Sequence, residues 1–114
     1  IVTGQTGTIH VLGTGGSNRI RTAILQVVSH LIDGGADPHK AVDAPRIHYE
    51  NGTLNAEIFT SAALERLQAI GPDSLISFAE PHLFFGGVNL ASRTADGQFG
   101  GAGDGRRGGV CLVV

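Results

Sequence analysis

The stretch Gly13-Thr14-Gly15-Gly16-Ser17-Asn18 lies between an apolar run, Ile9, Val11 and Leu12, and a long amphipathic pattern that begins at Arg19. Its reading decides the fold. The apolar run predicts the end of a strand over Ile9 to Leu12, the glycines a sharp turn, and Arg19 onward a helix. A junction of this kind aims backbone N–H groups into open space at a helix N-terminus, where negative charge is held. The charge can be a phosphate, a carboxylate or the oxyanion of an acyl-transfer intermediate, and the local residues leave all three open. They exclude two nucleotide sites: Asn18 stands where a dinucleotide fingerprint needs its third glycine, and no Gly-Lys-Ser/Thr follows. A tight connection without a ligand fits the same local pattern.

After the turn, Ile20, Ala23, Ile24, Val27, Val28, Leu31 and Ile32 recur at the spacing of a helix with one buried face. Ser17 or Asn18 is expected to cap it, and Gly34-Gly35 to end it. Asp37-Pro38 opens a short helix over His39 to Ala44 that Pro45 stops. Arg46 to Glu50 and Thr53 to Ile58 read as strands joined by Asn51-Gly52, the strongest hairpin dipeptide in the chain. Thr60 or Ser61 caps a third helix, which points Ala63, Leu64, Leu67 and Ile70 at the core and ends at Gly71-Pro72. A strand near Leu75 to Phe78 follows. The tail reads as strand and turn: Leu83 to Phe85 and Val88 to Ala91 around Gly86-Gly87, a turn at Asp96-Gly97, a glycine-rich connection from Gly100 to Gly109, and a last strand from Val110 to Val114.

Composition narrows the class. With 41% hydrophobic residues, 18 glycines and no Trp or Met, the chain suits a compact core filled by Val, Ile, Leu, Ala and five Phe. A net charge of −2 offers no basic face to a nucleic acid, and no apolar run reaches the roughly 18 residues of a membrane span. Residues 1–114 are read as a single domain or a fragment. Cys111 is expected to be a buried, inert thiol within an apolar run. Ser17 lacks the G-x-S-x-G setting of a nucleophile, and the five histidines are scattered without metal-ligand spacing, so neither a metal nor a cofactor is expected. Gly100 to Gly105 matches a calcium-binding nonapeptide once and out of register, and reads as a loop. Asn51-Gly52-Thr53 satisfies the glycosylation sequon on a turn that backbone geometry already explains. Arg106 and Arg107 are expected in a structural ion pair with Asp104 or a neighbour.

Gly13 to Ile20, then Thr22 to Val27, then Ala41-Val42-Asp43-Ala44-Pro45-Arg46-Ile47-His48 resemble the C-terminal part of gamma-glutamyltransferase, also called gamma-glutamyltranspeptidase. Phe85 to Asn89 and Gly101 to Gly109 are similar to that family's closing segment, with Asp104-Gly105-Arg106 where the family usually reads Asp-Pro-Arg. The resemblance covers nearly the whole chain, in order. It implies an α+β fold, the C-terminal segment of a four-layer αββα sandwich of the N-terminal-nucleophile hydrolase type. It also implies an enzyme that cleaves its own precursor to expose a threonine. That threonine attacks gamma-glutamyl compounds such as glutathione and passes the acyl group to water or an amino acid.

On this resemblance the backbone N–H groups of Gly15 and Gly16 form the oxyanion hole, with Ser17 and Asn18 as structural neighbours, and no cofactor is needed. The nucleophile and most substrate-gripping residues fall upstream of the matched region; Thr3 does not match the nucleophile's context. The 114-residue chain alone is therefore expected to be inactive, and the rest of the same precursor is its expected partner, with a homodimer as a further possibility. A periplasmic or extracellular setting follows from the resemblance, while the residues themselves leave the cytoplasm open. The alternatives are a non-catalytic binding or structural module with the same fold, and a phosphate-binding α/β domain using the Gly13 to Asn18 turn.

Overall fold

The structure, a computed structural model, describes residues 1–114. Strand β1 (Val2–Thr3) pairs with β2 (Ile9–Gly15), which a single 3₁₀ turn (Ser17–Arg19) joins to helix α1 (Ile20–Ile32). Helix α2 (Pro38–Asp43), the hairpin β3 (Ile47–Glu50) and β4 (Thr53–Glu57), helix α3 (Ser61–Ala69) and strand β5 (Ser74–Phe78) follow. A second 3₁₀ turn (Leu83–Phe85) leads to β6 (Gly87–Arg93) and β7 (Phe99–Ala102), and a third (Gly105–Arg107) closes the ordered elements. The strands form two sheets: β1-β2-β6-β7, antiparallel throughout, and β3-β4-β5, in which β4 and β5 run parallel across the α3 crossover.

The four-stranded sheet buries one face. Along β6, Val88, Leu90 and Ser92 are buried while Asn89, Ala91 and Arg93 are exposed, the alternation a pleated strand imposes. Against the inner face lie Ala23, Val27 and Leu31 of α1 and Ala41 and Val42 of α2, which with Val88, Leu90 and Ala102 make one continuous core. The helical spacing read from the sequence thus marks the buried face of α1. Asp37 caps α2 by accepting the Lys40 N–H, with Pro38 in its first turn. Asn51 and Gly52 take the positive φ values, 48° and 79°, that a two-residue hairpin turn of the matching twist requires.

Several expectations differ. Strand β2 does not stop at Leu12: it continues through Thr14 to Gly15, which faces Gly87 across the ladder, because the glycines flatten onto β6 instead of turning away. Neither Ser17 nor Asn18 caps the helix; the 3₁₀ turn fills that position, with no side-chain bond at either helix start. Helix α3, capped by Thr60, buries none of its residues, and Ile70 is 77% exposed. Leu83 to Phe85 is a 3₁₀ turn, since the chain must bend to bring Phe85 inside. Phe99 to Ala102 is a strand, and its glycines permit close pairing: a Cβ on Gly101 would lie 2.4 Å from the Leu90 carbonyl. Val110 to Val114 forms no strand: Val110, Leu112, Val113 and Val114 are exposed, and Cys111 is only partly buried.

Candidate functional site

The turn after β2 is shaped by two main chains pressed together. A Cβ on Gly16 (φ 144°) would lie 3.2 Å from Gly86 Cα, and one on Gly86 (φ 81°) would lie 3.0 Å from both the Gly15 carbonyl oxygen and Thr14 Oγ1. Both approaches need glycine. Thr14 stitches the contact, its hydroxyl donating to the Gly15 carbonyl at 3.0 Å and accepting the Gly87 N–H at 3.1 Å. Arg19 N–H donates to the Gly16 carbonyl at 3.1 Å, closing the 3₁₀ turn. Ser17 sits at φ 54°, a left-handed conformation uncommon for a residue with a side chain. The Gly16 N–H, outside both strand and helix, meets no acceptor within the fold. Beside it, a Cβ on Gly15 would meet nothing within 4 Å, so the outer side of the turn is open.

The hairpin β3–β4 supports this turn from one side. Gln26 on α1 reads the main chain of Ile47 from both ends, donating to its carbonyl and accepting its N–H, each at 2.9 Å. That fixes β3 against α1 and brings His48 and Glu50 to the turn. Asn18 Nδ2 donates to Glu50 Oε1 at 2.5 Å; His48 Nε2 lies 3.5 Å from Glu50 Oε2, and His48 Nδ1 is 2.9 Å from the Thr22 hydroxyl. The hydrogen bond from Asn18, with His48 and Arg19 nearby, holds the Glu50 carboxyl below the usual carboxylate range. The Arg19 guanidinium stacks 4.1 Å from the Phe84 ring centroid, tying the turn to the Phe78, Phe84 and Phe85 cluster.

Beneath lies a buried cluster of two carboxylates and two guanidiniums. Asp104 accepts the Val88 and Arg106 N–H groups, each at 2.9 Å, and pairs with Arg46 Nη2 at 2.7 Å and Arg106 Nη1 at 3.2 Å. Glu57 pairs with Arg106 at 2.5 Å and accepts the His82 N–H at 2.9 Å. The guanidiniums also donate to the Val42, Ala44 and Phe85 carbonyls. Burial alone would push the Asp104 carboxyl up, but the N–H donors of Arg106 and Val88 and the two guanidiniums outweigh it and hold it below its ordinary value. Because Val88 directly follows Gly86-Gly87, this cluster sets the floor on which the Gly16 turn rests. The ion pair expected with Asp104 or a neighbour is present at Arg106, whereas Arg107 makes none and donates to the Leu83 carbonyl at 3.3 Å. Arg46 and Glu57 were not singled out as its members; the signal available was an acidic residue closing the otherwise buried strand Leu54-Asn55-Ala56-Glu57.

The remaining histidines stay outside this arrangement, except His82, whose Nδ1 caps the second 3₁₀ turn by accepting the Phe84 N–H at 3.1 Å. His10 lines a separate cavity of about 540 Å³ toward the opposite end of β2, with its Nδ1 2.7 Å from Ser92 Oγ. Burial lowers the His10 pKa below its ordinary value. No group of three or more His, Cys, Asp or Glu side chains is placed to hold a metal ion.

Two sheets faced by helices, with a glycine turn leading from a central strand into the covering helix, define this chain as having the mixed α/β fold of the N-terminal-nucleophile hydrolases. Within that class, a sequence model described as gamma-glutamyltranspeptidase matches residues 1–114, and the chain belongs to that family. A glutathione hydrolase proenzyme of Pseudomonas sp. (strain A14) is 46% identical over 50 residues, 44% of this chain and 9% of that protein. The Bacillus anthracis transpeptidase CapD superposes with a TM-score of 0.83 at 25% identity, over 100% of this chain and 68% of its own. The Pseudomonas nitroreducens gamma-glutamyltranspeptidase complexed with L-DON gives 0.78 at 28% identity, over 100% of this chain and 60% of its own.

Proposed function

We propose that residues 1–114 form the oxyanion side of an acyl-transfer centre that hydrolyses or transfers gamma-glutamyl groups. The observation that carries this reading is the Gly16 N–H, left without an acceptor on an open turn whose geometry two glycines and a buried ion cluster hold fixed. The Gly15-Gly16 turn, with Gly16 foremost, donates to the oxygen that becomes negative when the gamma-glutamyl carbonyl is attacked. Preformed main-chain donors of this kind need no reorganisation during the reaction. The attacking threonine is supplied by residues outside 1–114, and the acyl group passes from it to water or to an amine. Relatives named glutathione hydrolase proenzyme and gamma-glutamyltranspeptidase support the choice of acyl group.

The test is release of p-nitroaniline from gamma-glutamyl-p-nitroanilide. The complete gene product is expected to turn it over and residues 1–114 alone are not. Turnover by residues 1–114 alone would overturn the assignment of the nucleophile; an inert complete protein would overturn the enzymatic reading.

A further inference from the structure

Ser17 holds a left-handed conformation in the middle of the donor turn, and no cap bond from its own or the next side chain sustains it. A strained residue persists only where its surroundings over-determine it. The surroundings here come from 32 residues further along the chain: Asn18, next to Ser17, is bound through Nδ2 to Glu50 Oε1 at 2.5 Å. Glu50 Oε2 lies 3.5 Å from Nε2 of His48, which is buried and bonded through Nδ1 to Thr22 in the first turn of α1, while Thr22 Oγ1 also donates to the Arg19 carbonyl at 3.2 Å. Asn18, Glu50, His48 and Thr22 therefore close a loop of contacts that starts and ends on the two sides of the 3₁₀ turn.

We infer that Asn18 and Glu50 are positioning residues for the oxyanion donors, a buckle that fixes the direction of the Gly16 N–H in the Gly15-Gly16 turn. The inference rests on the acyl-transfer reading of this turn. Neither side chain has to touch substrate, so their removal should spoil the alignment reached in the transition state more than binding. The exposed position of Asn18 and the partial exposure of Glu50 place the pair at the rim, where its loss leaves the core of Val27, Val42 and Val88 intact.

The experiment compares Asn18→Ala, Glu50→Ala, the double variant and Glu50→Gln in the complete gene product. Measured are gamma-glutamyl-p-nitroanilide turnover, the melting temperature, and the amide NMR signals of Gly16 and Ser17. Each alanine variant is expected to lower kcat about tenfold with KM within twofold, the double variant no further than either single one, because one linkage is lost in each case. Glu50→Gln keeps an oxygen for the Asn18 amide and should recover most of the kcat lost in Glu50→Ala. Unchanged kcat in folded Asn18→Ala and Glu50→Ala would overturn the inference, as would a rise in KM alone. If the complete wild-type protein turns over no gamma-glutamyl anilide, the acyl-transfer reading fails by itself. The buckle is then judged by the amide signals, which shift in both alanine variants if it exists and stay in place if it does not.

Discussion

Gly15 and Gly16 are neighbours with opposite tolerance for a side chain. At Gly15 an added methyl group meets open space, whereas at Gly16 it meets Gly86 Cα at 3.2 Å in a backbone that residues with a Cβ rarely adopt. Gly16→Ala should therefore cost about 1–3 kcal/mol of stability and Gly15→Ala well under that, a difference that denaturant unfolding of the two variants resolves. Asp104 is a second position where one atom group decides much. It is fully buried, accepts two main-chain N–H groups and faces two guanidiniums. Asp104→Ala leaves the buried Arg46 guanidinium without its carboxylate and Arg106 with Glu57 alone, and should cost about 3–5 kcal/mol. The same carboxylate sets a pH dependence. Its native pKa lies below the ordinary 3.8, so its contribution is present above that value and is lost as the pH falls through the lowered native one. Acid unfolding of the wild type should steepen below about pH 4, and in a folded Asp104→Asn variant that steepening should shrink.

Helices α1 and α3 look alike in the sequence and differ in what they bury. Leu31 of α1 is 6% exposed within the core, so Leu31→Ala should cost about 2–5 kcal/mol. No residue of α3 is buried, and Leu67→Ala should fall near or below about 1 kcal/mol, both read from thermal or denaturant unfolding. Periodicity revealed that α3 exists and which side is apolar. It could not reveal that little lies against that side, because burial depends on partners distant in the chain. The same limit explains the other departures. The Asn51-Gly52 hairpin and the Asp37-Pro38 helix start were legible because each is decided within a few residues. The strand Phe99–Ala102 was hidden because its glycines serve the approach of Leu90, and the apolar Val110 to Val114 run reads as a strand although the tail leaves it exposed. Of the site, the glycine turn was legible and its supports were not: Glu50 lies 32 residues from Asn18, and Glu57 lies 49 residues from Arg106.

As a whole the molecule is elongated, 47 × 28 × 23 Å, with a radius of gyration of 14.9 Å against about 13 Å for a compact chain of this length. Ile9 and Val11 on the outer face of β2, Ile70 after α3 and Leu112 and Val113 in the tail are exposed. Exposed apolar surface of this kind marks places that other protein covers. Residues 1–114 produced alone should self-associate, and light scattering should report a mass above that of one chain; a monodisperse monomer would show that the face needs no cover. The shape also places the glycine turn where the four-stranded sheet, α1 and the β3–β4 hairpin meet, with its outer side open.

Removal of the Gly16 main-chain N–H, and of nothing else, measures what that donor contributes to stabilising the oxyanion. Replacing the Gly15–Gly16 peptide bond with an ester removes the Gly16 N–H and leaves every side chain in place. In the complete protein, kcat for gamma-glutamyl-p-nitroanilide should fall by roughly 10²–10³ with an unchanged fold. Full activity in the ester variant would show that the Gly16 N–H does not stabilise the oxyanion.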